Sequence, residues 1–336
     1  MHTNTIAVDL AKSVFQVSFA NRADRVVDRK RLTRSQFERL IKTHEPTTIV
    51  MEACASAHHW CRLAQQHGHK TRQLHPYYVK PYVRRNKTDS EDADALIRAN
   101  KDPHLLAVPT KHPEQQALQS IHRTRQQFIQ TRTQRINLAR SLAVEYGLSL
   151  PRGSAGISTK LRSKSDELPV MLVPTFNSVI TDIDALAGQI RQLDTELDQI
   201  AKQSEIATRL LSIPGIGVIT ATALVASVPD IHLFKRGRQF AAWLGITPRE
   251  HSSGNTRRLG RISKQGNEYL RTLLIHGGRS VSQQASRRKP EDRDPIHHWI
   301  IRLEESKHRN VVAVATANKL ARVVWATWVS GEPYSP

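Results

Sequence analysis

TIAVD at residues 5–9 and TIVME at residues 48–52 decide the fold. Each is a short β-branched and apolar run that ends in a carboxylate, Asp9 in the first and Glu52 in the second. Runs of this length without alternation suit strands buried on both faces, as in a sheet flanked by helices. Strand and helix signals alternate around them. SVFQVSFA (13–20) and RVVDRKRL (25–32) read as further strands, and KTRQLHP (70–76) as a fifth. Phe37, Leu40 and Ile41 give SQFERLIKTH (35–44) helical spacing, and a second helix is expected around AHHWCRLAQQHG (57–68). Three strands followed by alternating helices and strands describe an α/β layer domain over residues 1–108.

The two acids need a reason. A lone buried carboxylate is costly, and two at neighbouring strand tips repel each other unless a cation lies between them. A third acidic cluster, NKTDSEDADAL (86–96), places Asp89 and Asp92 three apart, on one face of a helix. Asp9, Glu52, Asp89 and Asp92 together would carry four negative charges, which two divalent ions would cancel. All-oxygen ligation suits Mg²⁺, with Mn²⁺ as the alternative, rather than Zn²⁺. Two such ions can activate a nucleophile and stabilise a leaving oxygen in phosphodiester chemistry. On spacing alone Glu91 and Asp94 compete with Asp89 and Asp92. The plain reading of all these acids is turn and helix caps.

Bulk properties point the same way. The 336 residues exceed what one hydrophobic core usually holds, so more than one domain is expected. Fifty Lys and Arg against thirty Asp and Glu leave a formal charge of +20. A surplus this large implies a polyanionic partner, nucleic acid first. Cys54 and Cys61 form neither a CxxC pair nor a disulfide ladder, so a reducing cytoplasm is the natural setting. The N-terminus does not read as a signal peptide. The longest apolar stretch, residues 217–229, is too short to span a bilayer, so no membrane partner is expected.

Residues 109–207 read as helical. The stretch 114–146 lacks Gly and Pro and carries Arg123, Arg125, Arg132, Arg135 and Arg140. Residues 147–175, rich in Gly, Pro, Ser and Lys, read as a loop or partly ordered connection. Val179, Ile183, Leu186, Ile190, Leu193, Leu197 and Ile200 then step by 4, 3, 4, 3, 4 and 3, a heptad seam that argues a coiled coil. Its partner is either the 114–146 helix or another subunit.

Residues 208–336 form the third region. In PGIGVITATAL (214–224), Gly215 and Gly217 precede a helix, where backbone N–H groups could meet a phosphate. The alternative is a tight turn packing two helices. Further on, Ser252, Ser253 and Gly254 are followed by Arg257, Arg258, Arg261 and Lys264. A serine on a turn among cations could attack a phosphodiester while the cations steady the developing charge. Otherwise it is a loop serine beside phosphate-contacting arginines.

IAVDLAK, VMEACASAHHW and NKTDSEDADAL, in this order, resemble the N-terminal domain of the insertion-sequence transposases related to the pilin-inverting DNA recombinase. LGITPREHSSG followed by RISKQGN resembles the C-terminal transposase domain of the same family. The resemblance covers nearly the whole chain. It implies a RuvC-like, RNase H-type domain whose Mg²⁺-binding DEDD tetrad is Asp9, Glu52, Asp89 and Asp92, setting Glu91 and Asp94 aside. It implies a mainly helical C-terminal domain in which PGIG forms a helix-hairpin-helix-like element and Ser253 is the nucleophile, with Ser252 the fallback. It further implies donor and target duplex DNA, a structured guide RNA, a dimer or tetramer, and a composite active site shared between subunits. The expected activity is transposition through a phosphoseryl intermediate. The alternative is a metal-dependent, junction-specific nuclease that uses water, and a third class is an architectural DNA binder.

Overall fold

The computed structural model describes residues 3–84, 89–150, 153 and 155–335, without the side chains of residues 89 and 90. It is mixed α/β and separates into two compact units, residues 1–112 and 113–336.

The first unit is built on a five-stranded sheet. Its strands are β1 (Thr5–Asp9), β2 (Val14–Ala20), β3 (Val26–Thr33), β4 (Thr48–Glu52) and β5 (Lys70–Leu74), in the order β3-β2-β1-β4-β5. β1 therefore lies at the centre. It pairs antiparallel with β2 and parallel with β4, so the sheet is mixed. Helices α1 (Arg34–Thr43) and α2 (Ala57–Gln66) precede β4 and β5, and α3 (Pro76–Val79) leads to α4 (Asp89–Asn100). Thr33 starts α1 with a capping box shared with Gln36.

Strand alternation sends the two faces of the sheet into two cores. Ile6, Val8, Ile49 and Met51 pack with Phe37 and Ile41 of α1 and Trp60 and Cys61 of α2. Phe15, Phe37 and Trp60 meet edge-on there, with centroids 5.1–5.4 Å apart. Ala7 and Val50 face the other way, into a cluster with Leu74 and with Ala95, Leu96 and Ala99 of α4.

The second unit opens with two long helices, α5 (Pro113–Val144) and α7 (Val173–Gln203), which pack on each other. Arg125 Nε lies 2.5 Å from Asp194 and Arg135 Nε 3.3 Å from Asp182. On the heptad seam Val179, Ile183, Ile190 and Leu197 are buried, while Leu186, Leu193 and Ile200 are half-buried. The connection over 147–175 is partly helical. It carries α6 (Ile157–Arg162), and Ile157, Leu161 and Leu168 bury against Phe176 and Ile180 of α7.

The rest of the unit is α8 (Glu205–Leu210), α9 (Val218–Ser227), α10 (Gly237–Trp243), the hairpin β6 (Pro248–Glu250) and β7 (Leu259–Ile262), α11 (Glu268–Ala285), α12 (Pro295–Glu304) and α13 (Arg309–Ser330). Phe240, Leu270, Leu274, Ile300, Leu320 and Val324 share its core. Trp299, Trp325 and Trp328 ring that core, and Trp325 Nε1 donates to Phe234 O at 2.9 Å. Among the described residues no helix is long and apolar enough to cross a membrane.

Candidate active site

Asp9 and Glu52 end neighbouring parallel strands in matched register. Val8 stands opposite Met51, so Asp9 and Glu52 form the next rung. Strands in a sheet lie about 4.8 Å apart, which brings the two Cβ atoms close. Asp9 lies two residues after Ala7 and Glu52 two after Val50, so both acids share the face covered by α4. Both are half-buried. Two carboxylates about 5 Å apart repel by roughly 3 kcal/mol at an effective dielectric near 20, so this rung favours a cation.

Helix α4 adds its acids selectively. Asp92 lies one turn before Ala95 and Leu96, on the stripe facing the same cluster. It is half-buried and makes no hydrogen bond or ion pair with the described residues. Asp89 opens the helix one turn earlier on the same stripe, and its side chain lies outside the described residues. The two competitors are occupied. Asp94 is buried, accepting from Ser18 Oγ at 2.7 Å and from the Arg29 guanidinium at 2.6 and 3.3 Å. Glu91 pairs with Arg98 and accepts from Arg84 N at 3.1 Å. Among the described residues no three His, Cys, Asp or Glu side chains gather closely enough to hold a metal. The donor chemistry of Asp9, Glu52 and Asp92 is nevertheless that of a hard divalent cation, because every donor is a half-buried carboxylate oxygen.

The serines sit on the β6–β7 hairpin. Ser253 N donates to Thr256 O and Thr256 N to Ser253 O, at 3.2 and 3.1 Å, closing a turn over Gly254 and Asn255. Gly254 has φ +54° and Asn255 has no positive φ, the pattern of a type II′ hairpin turn. Ser252 is engaged on both sides: its Oγ donates to Glu250 Oε1 at 2.7 Å and accepts from Arg258 N at 3.2 Å. Arg257 Nε also reaches Glu250, at 3.2 Å. The Ser252 hydroxyl, with Arg257 beside it, holds the Glu250 carboxyl below its usual range. Ser253 Oγ makes no hydrogen bond among the described residues and is exposed. Glu250, the clamp on Ser252, was not anticipated; the only signal was its alternate position in the short strand.

Two glycines press the flanking segments together behind the hairpin. A Cβ on Gly245 would stand 2.1 Å from Gln265 O, and one on Gly266 would stand 1.9 Å from Trp243 O. Asn267 then caps α11 by accepting from Leu270 N at 3.1 Å. Arg257, Arg258, Arg261 and Lys264 are all carried on or beside the hairpin, and Lys264 holds φ +55°.

In PGIG the two glycines have different surroundings. Gly215, at φ +84°, lies against α11: its Cβ would meet Gly277 O at 2.9 Å, and a Cβ on Gly277 would meet Gly215 O at 2.2 Å. Gly217 is the N-cap of α9 and faces open space. On α5, Arg123 is exposed, Arg125 is tied to Asp194, and Arg132 is half-buried with Nε unpartnered among the described residues. Between α5, α9 and the start of α11 lies a polar cluster that sequence reasoning missed. Buried His122 lies 3.1 Å from both Tyr269 Oη and Thr222 Oγ1. Burial, helped by the Arg125 charge, pushes the His122 pKa down to about 4.

Comparison with known proteins places the whole chain within one family. Residues 6–147 match the profile of the IS110-type DEDD transposase domain, and residues 207–293 match that of the Transposase IS116/IS110/IS902 family. The chain is 40% identical to a "Probable family 20 transposase" of Pseudomonas aeruginosa over the whole of both chains. It is 37% identical to the transposase for insertion sequence element IS1111A of Coxiella burnetii, over 98% of this chain and 90% of that one. Similarity extends to the pilin gene-inverting protein of Moraxella bovis, at 24% identity over 99% and 98% of the two chains.

Proposed function

Because the chain belongs to the IS116/IS110/IS902 family of insertion-sequence transposases, enzymes that cut and transfer DNA strands, we propose that it does so through two chemical centres, the carboxylates of the first unit and Ser253 of the second. The observation that carries this reading is the Asp9–Glu52 rung at the ends of two central parallel strands, on the face that α4 covers with Asp92. DEDD transposase domains are metal-dependent. Here Asp9, Glu52, Asp89 and Asp92 would hold Mg²⁺ or Mn²⁺. Such an ion, when bound, polarises the scissile phosphate.

The chain's own residues supply the rest. Ser253 Oγ gives up its proton and attacks phosphorus, a P–O bond to serine forms, and the bond to the leaving deoxyribose oxygen breaks, that oxygen taking up a proton to leave as a free hydroxyl. The phosphoseryl ester keeps the energy of the phosphodiester, so rejoining needs no nucleotide. Arg257 and Arg258 neutralise charge developing on the phosphate. Ser252 orients the turn through Glu250 and is not the nucleophile. Gly217, Arg123, Arg261 and Lys264 contact backbone phosphates, while Gly215 shapes the turn that presents Gly217. Arg125 and Arg132 extend this basic surface along α5. Residues 1–108, 109–207 and 208–336 would then divide into carboxylate chemistry, assembly and serine chemistry. A dimer or tetramer would act in the bacterial cytoplasm on donor and target duplexes, guided by a structured RNA.

The test is excision of the element from a plasmid carrying the gene with its native flanks, read by amplification across the joined ends. Wild type and Ser252→Ala should give circles; Asp9→Ala and Ser253→Ala should give none. Circles from Ser253→Ala would remove the seryl intermediate.

A further inference from the structure

A cleft of about 610 Å³ opens in the second unit where the second half of α11 and the end of α12 meet the start of α13. Its charged lining is Arg279 from α11, Arg287 from the turn after it, Arg309 from α13 and a single carboxylate, Glu304. The helix packing shapes it. A Cβ on Gly278 would stand 2.6 Å from Ala313 O and 2.9 Å from Ala317 N, so α11 and α13 touch backbone to backbone at that point. Ser282, among the lining residues, is buried and donates to Gly278 O at 2.9 Å, with Thr316 Oγ1 3.3 Å away. Arg279 lies on the second half of α11, and Arg287 lies in the turn that follows its C-cap Ser286.

The charges in this cleft are uncompensated. Arg29, Arg98, Arg125 and Arg162 each pair with an acid of their own unit. The side chains of Arg279, Arg287 and Arg309 make no hydrogen bond or ion pair with the described residues. Each of two extends a basic run, RRK at 287–289 and KHR at 307–309. Arg309 also opens a 22-residue helix, at its positive end. Converging guanidiniums repel one another unless an anion sits among them, and their planar donor forks match phosphate oxygens.

We infer that this cleft seats a phosphodiester backbone of bound nucleic acid, through Arg279, Arg287 and Arg309, as a site additional to both chemical centres. The inference rests on the nucleic-acid reading above. Two arms distinguish duplex DNA from folded RNA, which share this chemistry.

The experiment uses the full-length protein and measures fluorescence anisotropy of a labelled DNA duplex and of a labelled RNA hairpin across a salt series. Wild type is compared with R279A/R287A/R309A and with E304Q. Each lost phosphate contact lowers the slope of log K against log salt by about 0.9, so the triple variant should lose about 2 to 3 in slope in at least one arm. Loss in the DNA arm alone identifies a duplex seat, loss in the RNA arm alone an RNA seat, and loss in both a shared one. E304Q should bind tighter in the same arm, and that readout stands even if the triple variant misfolds by circular dichroism. Wild-type binding with both variants unchanged would overturn the cleft and leave the proposed function intact. Absence of binding by wild type in both arms would overturn both.

Discussion

Ser252 and Ser253 are adjacent and chemically identical, yet their surroundings separate them. One hydroxyl is spent on Glu250 and Arg258; the other is exposed at the turn. Nothing in the letters SSG distinguishes the two, because the distinction comes from the hairpin register. The same holds for the acids of α4. Asp92 and Asp94 look equivalent as text, and only the position of Arg29 on a neighbouring strand makes Asp94 an ion-pair partner. His122 carries a residue-scale prediction. Its pKa is depressed to about 4 when folded, against 6.5 ordinarily, so between those values the unfolded chain binds more protons than the folded one. Stability therefore falls as pH drops from about 6.5 toward 4. At pH 5 the loss from this group is about 2 kcal/mol relative to pH 7.5, at 1.36 kcal/mol per pKa unit. Urea midpoints at the two pH values check this. In His122→Gln, which keeps hydrogen bonds to Thr222 and Tyr269 possible, the pH-dependent gap should shrink.

At the scale of elements, the strands were the most legible part. β1 and β4 begin and end where their apolar runs do, since a buried strand leaves a continuous signature. Helix α5 was legible from missing Gly and Pro, within two residues, and α7 from its heptad spacing, although α7 carries Pro174 and Gly188 and starts within the stretch that reads as a loop. Helix α6 was not, because Ile157, Leu161 and Leu168 are diluted by Gly, Ser and Lys that face water. Which helix partners the heptad seam was also not legible, because periodicity describes one surface and not its complement. The loop between β7 and α11 depends on backbone contact at Gly245 and Gly266. Gly266→Ala places a methyl group against Trp243 O at φ +113°, and should cost about 2–4 kcal/mol in urea unfolding. Gly217→Ala, which meets nothing within 4 Å and keeps an ordinary φ, should cost no more than about 1 kcal/mol.

For the whole molecule, charge announced a polyanion but not where it binds, because fifty basic residues include many that pair internally. The division into two compact units predicts two calorimetric transitions. Mg²⁺ should raise only the transition of residues 1–112, since a ligand of the native state stabilises the part that binds it. In Asp9→Asn that shift should vanish while the second transition stays unchanged; a Mg²⁺ shift confined to the second transition would refute the assignment of the carboxylates. The contact between Gly215 and Gly277 has a consequence for descent. Each would-be methyl group collides with the other residue's carbonyl oxygen, an atom that every amino acid carries. A change at one position therefore has no rescuing change at the other. As copies of such an element diverge between hosts, this pair should stay fixed without ever covarying, and methods that find contacts by correlated substitution will miss a place where two backbones touch.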